Sequence, residues 1–340
     1  QKYNFSYEYT KTAIMLQINN SEYVMFIVID MTERSYFFMQ LTDVLEEFIF
    51  DCKLRRMSER TIKGYKNNNL RFITFIRNEY QVSELEKVHC KLIKAYLEQL
   101  SSLGRMPSYI NGIIKSMRAF YRYCIDEEYL FNNPMDKVKF QKEPMTLITT
   151  FNNNEVKKMV VYYSGSRYLS IRNKLIMITL FDTGIRNSEL CNLLLTSIRE
   201  EYIMIMGKGK KERVVPVSPI LNKTLIKYKR VRAEYIKDKF AYQTEYLFLS
   251  QNGRKLTPEA VEKIVGDCAK ACKVRKHIRS SPHTCRHYFA QAQLKNGCDL
   301  YTLSRLLGHS NINITKIYLQ SLQDEDVLEL GVKTSPLMNL

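Results

Sequence analysis

The stretch SPHTCRHYFA, residues 281–290, decides how the rest of the chain is interpreted. It places His283, Arg286 and His287 within about one turn of a helix, although the whole chain has only five histidines. One interpretation is a polar helix face turned to solvent, and the other is a site that uses imidazole and guanidinium groups together. The choice between them depends on what the remaining sequence supplies.

The composition is that of a basic globular protein with more than one domain. The 340 residues are 45% hydrophobic, which is ample for two domains. A formal net charge of +17 favours a polyanionic partner, either nucleic acid or a membrane surface. An apolar run such as residues 24–29 is far too short to span a bilayer. We therefore expect a soluble, cytosolic protein that binds nucleic acid.

The eight cysteines predict neither a disulfide framework nor a metal site. They are scattered between residues 52 and 298, and no secretory signal is visible before them, so we expect reduced thiols. Cys268 and Cys272 are four residues apart in an apolar stripe and are interpreted as small buried hydrophobes. A zinc site with His277 or His283 fits no common ligand spacing, because the sequence has no C-x-x-C pair. We expect no metal.

Residues 42–131 have the pattern of a compact bundle of four helices. The first helix follows Thr42, which is interpreted as its N-cap, and the second follows Ser58. The third and fourth are expected near residues 90–100 and 107–126.

This bundle is basic in a directed way. Between residues 53 and 72 there are seven cationic side chains against the single acid Glu59. The helix from Ser108 adds three more among its aromatic residues. One such run is typical of a solvated helix face, but two in one small bundle favour contacts with phosphates. The residues are Lys53, Arg55, Arg56, Arg60, Lys63, Lys66, Arg71, Lys115, Arg118 and Arg122.

Four further segments complete the organisation of the chain. Residues 1–41 contain aromatic and β-branched runs that predict one or two short strands of unknown role. Residues 132–150, rich in Asn, Pro and Lys, predict an extended linker. Residues 151–320 predict a second domain of helices with one β-hairpin, EYIMIMGKGKKERVVPVS. Residues 321–340 are a tail with a short amphipathic stretch.

Several polar residues recur at the turns of this second domain. In DTGIRNSEL, a helix ends at Gly184 and Arg186 precedes the next one. LLGHSNINITKIYL adds His309 on a turn and Tyr318 nine residues later. Arginines, histidines and the lysines of the hairpin tip, if they converge, would neutralise a phosphodiester whose charge grows at the pentavalent transition state. Such charge would also favour the phenolate of a tyrosine nucleophile without a metal.

Four of these stretches resemble, in their order along the chain, the motifs of the tyrosine recombinase (phage integrase) family. They are TGIRNSEL, GKGKKERVVPV, HTCRHYFA and LGHSNINITKIY, and the basic bundle resembles the family's core-binding domain. The resemblance covers residues 42–318. It implies a mainly α fold with a small β-sheet, in which a four-helix SAM-like core-binding domain and a mixed α/β catalytic domain form a C-shaped clamp around DNA.

The resemblance implies a role for each matching residue. Arg186 and Arg286 would clamp the non-bridging oxygens of the scissile phosphate, and His309 would bind the same phosphate. His283 would act as a general base or hydrogen-bond partner. Glu189 would support the site from behind.

The resemblance also implies which residue attacks the phosphate and which residue protonates the leaving oxygen. Tyr318 would form a 3′-phosphotyrosyl bond, with Tyr288 and Tyr301 as the nearby alternatives. Lys208 would protonate the leaving 5′ oxygen, although either of the other two lysines on the hairpin tip could replace it. The resemblance carries no role over to His287, which is interpreted as packing or hydrogen bonding within its helix.

The implied activity is site-specific recombination of double-stranded DNA, of the integrase or transposase type found in mobile elements, without a cofactor. A second DNA end would attack the phosphotyrosyl bond, and the strands would pass through a Holliday junction held by a homotetramer in the bacterial cytosol, with an accessory directionality factor as an open question. The alternatives are a type IB topoisomerase, which reseals the original strand, and an inactive DNA-binding protein on the same scaffold.

Two features depart from the family pattern. Ser197 stands where many relatives carry an acid, and we expect no catalytic consequence. Residues 1–41 match nothing in the minimal two-domain architecture. The tail is expected, by analogy with the family, to dock on a neighbouring subunit.

Overall fold

The computed structural model describes residues 11–18, 22–29, 39–144, 148–207, 212–237 and 245–335. The chain divides into two compact units, Gln1–Met145 and Thr146–Leu340. Strands β1 (Lys11–Ile18) and β2 (Glu22–Ile29) pair antiparallel ahead of the first unit's helices. This hairpin agrees with the strands expected for the start of the chain.

The first unit is a bundle of four helices, as the sequence predicted. They are α1 (Leu41–Leu54), α2 (Glu59–Tyr80), α3 (Cys90–Ser102) and α4 (Pro107–Asp126). Ser58 caps α2 by accepting a hydrogen bond from the N–H of Thr61. The core is formed by the apolar faces of all four helices, with Phe48, Phe72, Ile93 and Phe120 almost fully buried.

The expected N-cap of α1 was wrong by two residues. Gln40, not Thr42, is the N-cap, and its side chain makes no capping bond. Leu41 is fully buried, and its N–H donates to the carbonyl of Ser83, 2.9 Å away. Contact with a distant segment therefore sets where α1 begins, and the hydroxyl of Thr42 bonds Asp43 inside the first turn.

The basic residues of the bundle are exposed, with one exception. The seven cationic side chains between residues 53 and 72 are all exposed, as are Lys115 and Arg122. Arg118 is partly buried: it donates to the carbonyl of Val138 at 2.6 Å and lies over the ring of Phe140. Arg118 therefore holds residues 138–140 against the bundle and is not available as a free phosphate ligand. Met135 and Val138, in the segment expected to be a linker, are buried in this core.

The second unit is mainly helical and is built around one apolar helix. Helix α6 (Tyr168–Thr183) is buried on nearly all sides and packs against α5 (Asn153–Tyr162), α8 (Pro219–Lys237) and α10 (Pro282–Lys295). The remaining helices are α7 (Asn187–Cys191), α9 (Pro258–Ala271), α11 (Leu300–Leu307), α12 (Asn313–Lys316) and α13 (Asp324–Lys333). Thr257 caps α9 with Pro258 at its first position.

A two-stranded antiparallel sheet completes this unit. Strands β3 (Tyr202–Met206) and β4 (Glu212–Pro216) pair with Tyr202 opposite Pro216 and Met206 opposite Glu212. The predicted hairpin is confirmed, and so is the fold class of helices with a small sheet. Its tip, residues 208–211, which includes Lys208 and both alternative lysines, lies outside the described residues.

Candidate active site

Arg186 lies at the junction between two helices. Gly184 ends α6 in the left-handed conformation, with φ of 58°, and Arg186 is the N-cap of α7. A Cβ on Gly184 would come within 2.4 Å of the ring of Phe289 on α10, so this turn is tightly packed as well as left-handed. The short turn brings the guanidinium of Arg186 back over the first turn of α7.

Glu189 holds two arginines at this junction. Its carboxylate accepts from the backbone N–H of Arg186 at 3.0 Å and from Nη1 of Arg186 at 2.8 Å. It also accepts two bonds from Arg213 on β4, at 2.9 and 2.7 Å. Burial alone would raise the pKa of Glu189, but the hydrogen bonds and charges of Arg213 and Arg186 outweigh it and lower the pKa. Glu189 is therefore an anion that orients both guanidinium groups.

Three arginines bind the last two carbonyls of α11 and that of its C-cap, Gly308. Arg213 donates to Leu306, Arg286 to Leu307 and Arg186 to Gly308, at 2.9, 2.7 and 3.1 Å. A helix C-terminus leaves its final carbonyls without partners and carries partial negative charge, which cations stabilise. The end of α11 is thus the point at which residues far apart in sequence are gathered.

Arg286 is the most deeply buried cation among the described residues of the site. Its side chain is 5% exposed and donates to the carbonyl of Gly184 at 2.6 Å. Burial, and then repulsion from Arg186 and Arg213, lowers the pKa of Arg286 to about 10. It is still a cation at neutral pH. Arg186, by contrast, is 34% exposed and can reach a ligand from solvent.

His309 is held as a neutral ring of defined tautomer. Its Nε2 lies 3.0 Å from Nη2 of Arg286, and its Nδ1 lies 2.8 Å from the hydroxyl of the fully buried Thr315. A guanidinium can only donate, so Nε2 accepts and Nδ1 carries the proton. Burial, followed by the charges of Arg286 and Arg186, lowers the pKa of His309 to about 4.

Tyr318 lies directly after α12 with its side chain 3% exposed. Its hydroxyl is 3.0 Å from Nδ1 of His287, and the two ring centres are 5.6 Å apart. Burial raises the pKa of Tyr318, while the charges of Arg286 and Arg186 partly lower it again. The hydroxyl is therefore protonated at neutral pH in this structure.

The alternative tyrosines are engaged elsewhere. Tyr288 donates to Asn153 at 2.9 Å and packs edge-on against Phe181. Tyr301 is exposed and bonds Arg305. Tyr318, by contrast, is buried, and the charges of Arg286 and Arg186 act on its hydroxyl.

The structure brings together most, but not all, of the residues expected in the site. One hydrogen-bonded network contains Arg186, Glu189, Arg286 and His309. The charges of both arginines act to lower the pKa of Tyr318. His283 is exposed and makes no hydrogen bond with the described residues. Lys208 lies outside the part of the chain that is described.

Three residues of the site were missed by sequence reasoning. Arg213 orients Glu189, Thr315 sets the tautomer of His309, and His287, interpreted as structural, bonds the hydroxyl of Tyr318. An acid such as Glu189 in TGIRNSEL needs a cationic partner when it is buried, but the sequence contains several arginines that could fill this role. Nothing in the sequence pairs His287 with Tyr318, which is 31 residues away.

A cleft of about 900 Å³ opens beside this network. Arg186, Arg213, Arg305 and His309 contribute to its lining, so it offers donors and positive charge to an anion. No group of three or more His, Cys, Asp or Glu residues suited to a metal is found among the described residues. Within the same residues, no helix is long and apolar enough to cross a membrane.

Known proteins with similar sequences identify the family. Residues 149–325 match the phage integrase family, and residues 44–130 match its N-terminal SAM-like domain. Tyrosine recombinase XerC of Thermodesulfovibrio yellowstonii is 31% identical over 297 residues, 86% of this chain and 96% of the relative. Tyrosine recombinase XerD of Listeria monocytogenes is 29% identical over 282 residues, 82% of this chain and 94% of the relative. The chain belongs to the phage integrase family and is a tyrosine-type site-specific recombinase.

Solved structures agree on the fold. The XerH recombinase bound to palindromic difH substrate superposes with a TM-score of 0.68 at 22% identity, covering 86% of this chain and 85% of that one. A lambda integrase dimer bound to a core site superposes with a TM-score of 0.65 at 18% identity, covering 83% of this chain and 77% of that one.

Proposed function

We propose that this recombinase cuts and rejoins double-stranded DNA through Tyr318 and exchanges strands by way of a Holliday junction, as an integrase or transposase of a mobile element. The observation that carries the proposal is the network of Arg186, Glu189, Arg286 and His309 beside the buried Tyr318. The two guanidinium groups are donors that match the charge which develops on a phosphodiester at its transition state.

Each residue has a role in this proposal. Arg186 and Arg286 bind the non-bridging oxygens of the scissile phosphate, and Glu189 keeps Arg186 in position. His309 is proposed to bind the same phosphate once its Nδ1–H exchanges the hydroxyl of Thr315 for a phosphate oxygen. Once DNA is bound, the exposed ring of His283 is free to turn to the phosphate as a hydrogen-bond partner.

The reaction needs a proton on the leaving oxygen. Lys208, on the tip between β3 and β4, is proposed as the group that protonates the 5′ oxygen as Tyr318 forms its bond to phosphorus. The energy of the broken bond is retained in the phosphotyrosyl ester. Resealing therefore requires neither ATP nor a metal.

DNA binding by the first unit rests on its exposed cations. The exposed Lys and Arg side chains of residues 53–71, together with Lys115 and Arg122, supply the charge for backbone phosphates. We assign a homotetramer on two DNA sites as the exchanging assembly, acting in the cytosol. Whether an accessory directionality factor assists it is a separate question for the same assay.

Covalent trapping tests the proposal. The protein is incubated with nicked suicide duplexes made from the DNA that flanks its own gene, and adducts that resist SDS are mapped by mass spectrometry. We expect an adduct on Tyr318, and none with Tyr318→Phe, because phenylalanine has no nucleophilic oxygen. The Tyr301→Phe variant is the matched control and should form the adduct. An adduct in Tyr318→Phe would overturn the assignment of the nucleophile.

A further inference from the structure

His287 contacts the hydroxyl of Tyr318, although the sequence predicted only a structural role for it. It follows Arg286 on α10, so one turn of helix carries both a cation for the phosphate and an imidazole for Tyr318. Its Nδ1 is 3.0 Å from the phenolic oxygen, within the range of a hydrogen bond through which a proton can move. The ring is half-buried and tilted by 54° against the ring of Tyr318.

Among the other described ionisable groups of the site, His283 is exposed and makes no hydrogen bond with Tyr318 or any other described residue. Glu189 and His309 are committed to different partners. Glu189 is held by Arg186 and Arg213. Both ring nitrogens of His309 are engaged, one accepting from Arg286 and one donating to Thr315. These groups cannot take the proton of Tyr318 without breaking the network that orients the arginines.

We propose that His287 is the general base of the cleavage step and takes the proton of Tyr318 as the tyrosine attacks DNA. This inference rests on the proposed function, in which Tyr318 is the nucleophile. The O–H bond of Tyr318 breaks, and its proton moves to Nδ1 of His287. The Tyr318 oxygen bonds phosphorus, the bond from phosphorus to the 5′ oxygen breaks, and that oxygen takes the proton of Lys208.

Resealing reverses the same transfers. The incoming 5′-hydroxyl gives its proton to Lys208 as it attacks phosphorus. The bond from phosphorus to the Tyr318 oxygen breaks, and His287 returns the proton to that oxygen. The base is thus neutral again at the end of each exchange.

The electrostatics of the site link this transfer to DNA binding. Burial, and then the charges of His283 and Arg286 on the same helix, lower the pKa of His287, so the ring is neutral in the free protein. Tyr318, the group that faces it from the segment after α12, is a neutral phenol. A bound phosphate brings negative charge to the arginines and offsets their repulsion of a protonated His287. Substrate binding therefore makes the proton transfer from Tyr318 to His287 less costly than it is in the free protein.

The first test needs no DNA. The tautomer of His287 in the intact protein is read from the nitrogen shifts of its ring in a ¹⁵N NMR spectrum at neutral pH, with the signals assigned through His287→Asn. We expect Nε2 to carry the proton and Nδ1 to be a bare acceptor of the Tyr318 hydroxyl. A proton on Nδ1 overturns the inference, since that nitrogen could not then accept another.

The second test measures cleavage on the duplex that traps Tyr318. An asparagine amide can keep a hydrogen bond near the position of Nδ1 but cannot accept a proton. We expect His287→Asn to bind the duplex as the wild type does and to cleave at least about 100-fold more slowly, the usual contribution of a general base. His277→Asn, an exposed histidine on the preceding turn, is the matched control and should cleave normally.

The pH profile separates proton transfer from positioning. Wild-type cleavage should fall as pH decreases through the lowered pKa of His287, because the protonated ring cannot accept. In His287→Asn that fall should vanish, and the rate should rise steadily with pH towards the raised pKa of Tyr318. Added imidazole should partly restore cleavage by His287→Ala. A slow variant with the wild-type pH profile and no rescue by imidazole would make His287 a positioning residue and overturn the inference.

The outcomes distinguish this inference from the function on which it rests. If Tyr318→Phe still forms adducts, the nucleophile is misassigned. If Tyr318→Phe is inactive while His287→Asn cleaves at the wild-type rate, only the base is misassigned. Thermal unfolding of each variant identifies a loss of folding. Rescue of His287→Ala by imidazole would show in addition that the variant is folded, because only a folded site can use the added base.

Discussion

Arg186 binds its own protein and still presents a face to solvent. Its Nη1 bonds Glu189 and its Nη2 bonds the carbonyl of Gly308, while a third of the side chain is exposed. A planar fork can hold two partners in fixed directions and offer further donors to a phosphate. Binding of a phosphate by Arg186 therefore depends on the planar shape of its guanidinium group as well as on its charge.

Replacing Arg186 by lysine tests that geometry. We expect Arg186→Lys to lose at least about 100-fold in cleavage, in the range seen when one preorganised donor is removed from a transition state. DNA affinity should change little, because a point charge remains and phosphate contacts elsewhere dominate binding. Single-turnover adduct formation and a binding titration on the same duplex measure the two quantities.

The control for this variant is Arg199→Lys, at an exposed position in the same unit. It should leave both quantities unchanged. A large loss of affinity in Arg186→Lys, with cleavage of the bound complex preserved, would instead make Arg186 a residue that positions DNA.

Helix α11 organises the site through its C-terminus. Gly308 ends the helix with φ of 64°, and the carbonyls of residues 306, 307 and 308 each accept from a different arginine. The same turn presents His309 to Arg286. The end of one short helix therefore gathers side chains from α7, β4 and α10.

Gly308→Ala is expected to disturb this arrangement. An added Cβ would lie 2.7 Å from Cδ of Arg213, and the left-handed backbone disfavours any side chain. We expect a loss of about 1–2 kcal/mol in the free energy of unfolding, for the backbone strain and a weakened hydrogen bond. Cleavage should fall as well, since Arg213 orients Glu189 and thereby Arg186.

Gly266→Ala is the matched control, within helix α9. A Cβ there meets nothing within 4 Å, so the change should stabilise the protein by about 0.5–1 kcal/mol through helix propensity alone. Urea unfolding and adduct formation are measured for both variants. Equal stability and equal cleavage in Gly308→Ala and the wild type would show that Arg213 moves aside without consequence.

At the scale of the whole molecule, α13 is a helix that buries none of its side chains in the described structure. None of its residues is buried, and Leu328 is 70% exposed beside the exposed Val327 and Val332. An ion pair between Asp326 and Lys295, at 2.8 Å, ties the helix to the end of α10. A helix of ten residues is too short to be stable by itself, and we propose that its apolar side contacts another subunit.

Deleting residues 323–340 should separate assembly from chemistry. We expect the shortened protein to form the Tyr318 adduct on a single site, because the proposed nucleophile and the arginine network all precede the deletion. Recombination between two sites should be lost or strongly reduced. Light scattering on DNA should likewise show little or none of the tetramer that we expect for the full-length protein.

Two point variants refine this prediction. Leu328→Lys should reproduce the loss of the tetramer, because it places a charge on the apolar side of α13. Glu325→Gln, exposed on the same helix, should not. Equal loss of single-site cleavage and recombination would argue that α13 supports its own unit and not a neighbour.

The sequence was sufficient for those features that depend on local order. Residue periodicity predicts the four helices of the first unit, Ser58 and Thr257 mark the starts of α2 and α9, and Gly184 marks the end of α6. The order of four short motifs predicted the family. These inferences succeed because helix period, capping and turn conformation involve residues only a few positions apart.

Only the tertiary structure decided which groups meet. The start of α1 is set by Ser83, Glu189 is held by Arg213 and His309 by Thr315, and the histidine on the hydroxyl of Tyr318 is His287. A buried polar group must find a partner, but local sequence does not say which of several distant donors packing will bring within 3 Å. The sequence thus determined the chemistry available to the site, and the packing of α7, β4, α10 and α11 determined how that chemistry is arranged.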